Sequence, residues 1–147
     1  MRRPVVIVLA VAAFLAISFE VARFLTTETR ERNAVLKLLQ AEARGDANGM
    51  LDRLDPSCRT TPVCQANVRF DAAGLRRPGK VKIIAYDSKT SYAFGSATGR
   101  TRVAWVVVGH TLPIVQCVTV HRGGSAIAGR SITLLAIGRR IGSESTC

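Results

Sequence analysis

Cysteine is the residue type whose number and spacing point most directly to chemistry in this chain of 147 residues. Cys58 and Cys64 lie in a segment with two prolines, Cys117 lies in an alternating apolar run, and Cys147 ends the sequence. An even number of cysteines in a small exported domain favours disulfides, and the spacing favours Cys58 with Cys64 and Cys117 with Cys147. Free buried thiols are an alternative. Metal binding is a poor one, because there is no C-x-x-C motif and neither histidine is near the first pair.

Side chains that could carry out acid–base catalysis are few in the second half of the chain. From residue 76 onwards the acids are Asp87, in a turn, and Glu144, in the tail, and both are expected in solvent. His110 and His121 stand at strand ends and are expected at the surface. The serines lack the glycine context of a nucleophile elbow. We therefore predict no catalytic residue, no metal site and no cofactor.

The N-terminal segment has the composition of a membrane span or a signal sequence. Two arginines precede sixteen uncharged residues, Pro4 to Phe19. As a helix these sixteen residues are roughly 24 Å long, short of the hydrocarbon layer, while the stretch up to Leu25, which includes Glu20 and Arg23, is roughly 33 Å long, so length by itself does not identify a span. No clean cleavage site ends it, so residues 1–25 are predicted to be a signal anchor; a cleaved signal peptide and a buried soluble helix are the alternatives. The arginines favour an inside N-terminus, which puts residues 26–147 outside the cytoplasm.

Helical periodicity begins directly after the span. Apolar residues recur at helical spacing from Val35 up to Gly45, which is a typical stop signal. Asp46 is a good N-cap for a second, short helix that ends at Leu54. Thr61-Pro62 then opens a third helix, which ends at Gly74.

After residue 79 the period changes to that of strands, and turn residues separate the runs. Alternation within the runs indicates a sheet with one packed face and one wetter face. Helices followed by strands predict an α+β fold, with the helices covering one side of a curved antiparallel sheet. The predicted strands are Lys80 to Asp87, Ser91 to Thr98, Arg100 to Gly109, Ile114 to Arg122 and Ala126 to Gly138.

The net charge of +11 is distributed unevenly along the chain. Residues 26–75 hold seven basic and seven acidic side chains, whereas residues 76–147 hold eleven basic and two acidic ones. Aromatic residues make up 5%, too few for a surface that stacks nucleic acid, so nucleic acid is not expected as a partner. The excess predicts a basic outer sheet surface; the alternative is that the charge only keeps the domain soluble. Alternation places four residues on this surface: Lys80, Lys82, Arg100 and Arg102.

The order of elements resembles the NTF2-like (cystatin-like cone) superfamily. The resemblance covers about residues 27–140 and depends on the helical segment at residues 38–46, the short helix ending at Leu54, and the long C-terminal strands. Within the superfamily the chain looks like small membrane-anchored actinobacterial proteins with an N-terminal span and two similarly placed cysteine pairs. The superfamily includes cyclases, isomerases, transport factors and secretion-channel subunits, so the resemblance leaves function open.

Cone-shaped folds of this type enclose a pocket between helices and sheet. Strand alternation makes Trp105 and Gln116 the best candidates to line it, while Tyr86 has the wrong alternation for the same wall. The alternative is that Trp105 is a core residue and Gln116 a hydrogen-bonded structural one.

The anchor, the cysteines and the missing catalytic constellation favour a non-enzymatic, membrane-anchored extracytoplasmic domain that is an accessory or scaffold of the cell envelope. One alternative is a pocket that binds a small hydrophobic ligand or works as an isomerase or cyclase. Another is a secretion-channel subunit of the VirB8 type. The expected partners are the membrane, through one span, and an envelope protein or an anionic polymer or lipid.

Overall fold

One uninterrupted helix joins the apolar N-terminus to the core of the folded domain. In the computed structural model, which describes residues 2–90, 96–125 and 129–147, helix α1 runs over Arg2–Arg44. It holds an 18-residue window with a mean hydropathy of 2.7, of which no residue is buried, so it is long and apolar enough to cross a membrane. Its C-terminal half has fully buried side chains, among them Leu38 and Leu39. The predicted boundary at residue 25 therefore lies inside a continuous helix.

The end of α1 follows the local signals in the sequence. Gly45 has a φ of +76°, a left-handed conformation that glycine adopts without strain. The amides of Gly45 and Asp46 close the last turn on the carbonyls of Glu42 and Ala41. The Asp46 side chain then accepts from the Gly49 amide at 2.8 Å and caps helix α2, Ala47–Leu51, which ends three residues before the predicted Leu54.

Two further helices both start with a proline. Helix α3 is Pro56–Thr60 and helix α4 is Pro62–Gly74, the latter with the predicted bounds. Asp55 caps α3 by accepting from the Ser57 amide at 2.9 Å. The prediction did not include α3, although an N-cap residue followed by proline is the signal that did identify α4.

The strands form one antiparallel sheet in sequence order, so each strand pairs with the next one along the chain. Of the predicted run Ser91 to Thr98, residues 91–95 lie outside the described residues, and its last two residues belong to the second strand. Of the predicted run Ala126 to Gly138, residues 126–128 lie outside the described residues, and the rest contains the fourth strand. The other predicted strands are found with ends shifted by up to three residues. The strands are β1 (Val81–Ser88), β2 (Ala97–Val107), β3 (Ile114–Ser125) and β4 (Gly129–Ile137).

A bulge in β1 reverses the predicted orientation of Tyr86. The pairing of β1 with β2 shifts register between Ile83 and Ala85, which inserts one extra residue. After the bulge the inward positions become Tyr86 and Ser88 instead of Ala85 and Asp87. The expectation that Tyr86 faces away from the helices is therefore wrong, because simple alternation ignores the extra residue.

The two disulfides have the pairing that the spacing favours. Cys58 is bonded to Cys64 and connects α3 to α4, while Cys117 is bonded to Cys147 and ties the C-terminal tail to β3. The tail runs beside the start of β3, where the Ile141 amide donates to the Val115 carbonyl at 2.8 Å. An oxidising compartment outside the cytoplasm fits this bonding.

Three of the four residues predicted for the basic surface are exposed, namely Lys80, Lys82 and Arg100. Arg102 is only partly exposed. Its Nε donates to the Ser145 carbonyl at 3.0 Å, and its guanidinium also donates to the Ser143 carbonyl. Arg102 therefore holds the C-terminal tail, which covers this part of the outer sheet face, and is not part of a free basic surface.

Candidate functional site

Two glutamates on the buried face of α1 are the chemically distinctive groups in the domain. Glu31 and Glu42 lie on the same helical stripe as Val35 and Leu38, and all four side chains are fully buried. Glu42 comes eleven residues after Glu31, which corresponds to about 16 Å along the helix. Each one meets a different part of the sheet, and their surroundings differ.

Glu31 lies nearer the apolar end of α1 and is surrounded by donors from three strands and the loop after β1. Its Oε1 accepts from the hydroxyls of Tyr86 at 2.5 Å, Ser88 at 2.8 Å and Thr101 at 3.1 Å. Its Oε2 accepts from the Thr90 hydroxyl at 3.2 Å. Further hydrogen bonds join Ser88 to Thr90 and to Thr101.

Arg122 completes this cluster with a buried ion pair. Its Nε donates to Glu31 Oε2 at 2.5 Å, and its Nη2 lies 2.5 Å from the same oxygen without the alignment of a hydrogen bond. The Arg122 side chain is 1% exposed, so both charges are away from water. Nη1 has no hydrogen-bond partner among the described residues. The carboxylate is thus saturated, while the guanidinium is not.

The donors around Glu31 keep it ionised. Burial by itself would raise the pKa of Glu31, but hydrogen bonds from Tyr86, Ser88 and Arg122, together with the charge of Arg122, outweigh burial and lower the pKa. Burial and the adjacent carboxylate raise the pKa of Tyr86. Tyr86 therefore stays a neutral donor to the Glu31 carboxylate.

Glu42 lies at the other end of the stripe and has far fewer donors. Its Oε1 accepts from Gln116 Nε2 at 2.7 Å, and Gln116 Oε1 in turn accepts from the Trp105 indole at 2.7 Å. Gln116 also donates to the Gly138 carbonyl at 3.3 Å. Within the described residues, Glu42 Oε2 and Oδ2 of the nearby Asp71 have no hydrogen-bond partner.

This environment favours a protonated Glu42. Burial raises its pKa to about 8; the hydrogen bond from Gln116 lowers it and the charge of Asp71 raises it. Burial also raises the pKa of Asp71, against the lowering effect of the Arg139 charge. The Arg139 guanidinium stacks over the Phe70 ring, 4.6 Å from its centroid. Two adjacent buried carboxyls with two unpartnered oxygens are costly to ionise together.

A carboxyl with a pKa of about 8 has the range of a general acid or base, but Glu42 is enclosed by side chains. Glu42, Trp105 and Gln116 are all 0% exposed. None of the three lines either of the two described surface grooves. Neither groove therefore gives a substrate access to Glu42.

The structure thus places the two predicted pocket residues together in the core. Trp105 and Gln116 are neighbours on β2 and β3, and they fill the space between α1 and the sheet with a hydrogen-bonded pair. Among the other candidates, Asp87, Glu144 and His110 are exposed, as expected. His121 is partly exposed and bonded to the Thr98 hydroxyl at 2.8 Å.

Two grooves of about 530 Å³ each are open at the surface. The first lies between α1, the α2–α3 connection and β4; we refer to it as the β4 groove. The second lies between the start of β3 and the tail and is lined by residues 112, 113, 115 and 140–143. The β4 groove is lined by Arg30, Asn33, Ala34, Lys37, Asp52 to Pro56, and Ile132 to Leu134.

The buried acids are the residues that sequence reasoning missed. A signal for Glu31 and Glu42 exists, because their spacing of 4, 3 and 4 with Val35 and Leu38 places them on the apolar stripe. Arg122 likewise continues the inward alternation of β3. In each case the charge favours a surface position, and only the partner across the core reverses that expectation.

No family model, curated protein or solved structure matches this chain.

Proposed function

We propose that this chain is a single-span, membrane-anchored extracytoplasmic domain that acts as an accessory or scaffold in an envelope assembly. The observation that carries the proposal is α1, whose N-terminal half exposes apolar side chains and whose C-terminal half is the central core helix. A cleavable signal peptide does not need to continue into the core of the mature domain. An anchor that does so fixes the direction in which the domain points.

The Glu31 cluster supports this role, because it braces the domain close to the membrane. Thr27 and Glu31 are the first buried residues after the apolar segment. Glu31 lies within two turns of the end of the apolar segment, and its side chain bonds α1 to β1, β2 and β3. Rotation of the span would therefore be transmitted to the sheet, which suits a component that presents a surface at a set height above the bilayer.

The NTF2-like cone is part of the same proposal. It is supported by the element order, by α1 packing across the sheet, and by the two register shifts, in β1–β2 and β3–β4, which bend strands and curve a sheet. The pocket-enzyme alternative is weakened because Trp105 and Gln116 occupy the interior where a ligand would bind.

The anchor is tested by mass measurement of the full chain extracted from membranes, before and after reduction and alkylation. We expect an intact N-terminus, resistance to alkaline extraction, and four cysteines that alkylate only after reduction. An N-terminus that begins within or after the apolar segment, or four free thiols, would contradict the proposal.

The scaffold role is tested by photocrosslinking from exposed positions of the domain. Crosslinks to envelope proteins support a scaffold, and crosslinks only between copies of this chain support the channel-subunit alternative. Turnover of hydrophobic enones by the full chain, abolished by Glu42→Gln but not by Asp87→Asn, would replace the scaffold with the enzyme.

A further inference from the structure

One wall of the β4 groove is formed by the edge strand β4. Strand β4 is one of the two edges of the sheet. On its outer side Leu54 makes an isolated parallel bridge to Leu134, and the Asp55 amide donates to the Leu134 carbonyl at 2.7 Å. Because backbone direction alternates along a strand, the N–H and C=O of Ile132 point to this same outer edge. The chain thus already adds one residue of strand to β4, next to an edge position that a further strand can use.

The side chains around this edge are basic. Arg30 and Lys37 enter the β4 groove from α1, and Arg53 enters it from the α2–α3 connection. Of the two acids in the groove, Asp52 pairs with Arg59 at 3.0 Å, whereas Asp55 accepts from the neutral Ser57 amide and keeps its charge, so three cations face one uncompensated carboxylate. Within the described part of the chain, the three cations form no ion pair.

The distance of the groove cations from the membrane distinguishes two classes of anionic ligand, a lipid headgroup and an acidic peptide. With α1 along the membrane normal, Arg30 lies about 7 Å and Lys37 about 18 Å beyond Leu25. A headgroup layer is roughly 5 to 8 Å thick on each side. Even a tilt of about 40° leaves Lys37 about 14 Å out. An anionic headgroup can therefore reach Arg30, but it cannot bridge Arg30 to Lys37 and Arg53.

A short extended peptide fits both the length and the charge. Lys37 comes seven residues after Arg30, which is about 10 Å of helix and equals about three residues of extended chain. A strand added to a sheet edge gains backbone hydrogen bonds, and every second side chain of that strand contacts the groove, which gives specificity. Resting on the scaffold role proposed above, we infer that the β4 groove binds an extended acidic segment of a partner envelope protein, paired with the edge of β4.

The test uses the full chain in phosphatidylcholine nanodiscs and a display library of random seven-residue peptides. We expect enrichment of peptides with acidic residues at alternate positions. Their dissociation constants should rise at least tenfold for Lys37→Glu/Arg53→Glu, and their binding should slow hydrogen exchange at the Ile132 amide. The matched control, Lys82→Glu/Arg100→Glu, makes the same charge change at the exposed sheet surface and should leave binding within about twofold.

Several outcomes would overturn the inference. One is a selection that yields no peptide pool able to distinguish wild type from the groove variant. Another is binding that leaves exchange at Ile132 unchanged. A third is a groove that retains phosphatidylglycerol in mixed nanodiscs, loses it in Lys37→Glu/Arg53→Glu, and binds no peptide.

Failure of this inference and failure of the scaffold proposal are distinguishable in the same samples. An anchored, disulfide-bonded chain that binds no acidic peptide removes the groove assignment and leaves the anchor intact. A chain with a cleaved N-terminus that still binds the peptide removes the anchor and leaves the groove assignment intact.

Discussion

Glu31 and Glu42 are the same residue type on the same face of one helix, but folding shifts their pKa values in opposite directions. Glu31 meets four hydroxyls and a guanidinium, and its pKa is lowered. Glu42 meets one amide and a second carboxyl, and its pKa rises to about 8. Burial raises the pKa of both, so the difference comes from the donors that the sheet supplies. A carboxylate is kept ionised in a core only where its oxygens are satisfied.

The largest expected effect comes from removing the counter-ion of Glu31. Arg122→Met leaves a buried carboxylate without its charge partner, and we expect a loss of about 3 to 5 kcal/mol in the free energy of unfolding. Urea unfolding of the full chain in detergent measures it, with Arg100→Met at the exposed sheet surface as the control. The double variant Glu31→Gln/Arg122→Met should lie closer to wild type than Arg122→Met. A single-variant loss below about 1 kcal/mol would mean that the pair is not buried in solution.

Glu42 should make the folded chain less stable as the pH rises. The folded chain keeps a proton on Glu42 that the unfolded chain, with a pKa of 4.5, releases, so stability should fall as pH rises from 4.5 to 8. By pH 7 the fall is on the order of 3 kcal/mol. Glu42→Gln should flatten this slope and stabilise the chain at pH 7, whereas Glu144→Gln in the exposed tail should not. A slope that Glu42→Gln leaves unchanged would show that Glu42 is ionised in the folded chain.

A smaller effect is expected from removing one donor to Glu31. Tyr86→Phe deletes a hydrogen bond to a charged group and should cost about 1.5 to 3 kcal/mol at pH 7. Because the pKa of Glu31 is lowered on folding, its stabilisation is present above its unfolded pKa and is lost as pH falls through the folded pKa. Tyr86→Phe should move that acid-side loss to higher pH. Thr111→Val, at an exposed position, should leave the pH of this loss unchanged.

The smallest effect is expected at Asp71. Asp71→Asn removes the like charge beside Glu42 and should shift the midpoint of the stability fall to lower pH, with a gain of about 1 kcal/mol near pH 8. The matched control is Asp87→Asn on the exposed face of β1. An unchanged midpoint would mean that Asp71 carries no charge when Glu42 titrates.

Local signals in the sequence predict much of the architecture. The bounds of α4, the stop at Gly45 and the pairing of the cysteines depend on neighbours a few residues away or on loop length. The bulge in β1 was not predictable in this way, because a bulge is a property of strand pairing. It is what turns Tyr86 towards Glu31.

The sequence by itself determined the apolar segment, the order of helices before strands, the cysteine pairs and the concentration of positive charge in the second half. It did not determine which charged residues are buried or in what form. The partners of Glu31 and Glu42 lie 55 to 91 residues away, at Tyr86, Gln116 and Arg122. Only the tertiary structure decides these charge states, because a pKa depends on the donors, charges and water at the side chain, and folding sets all three.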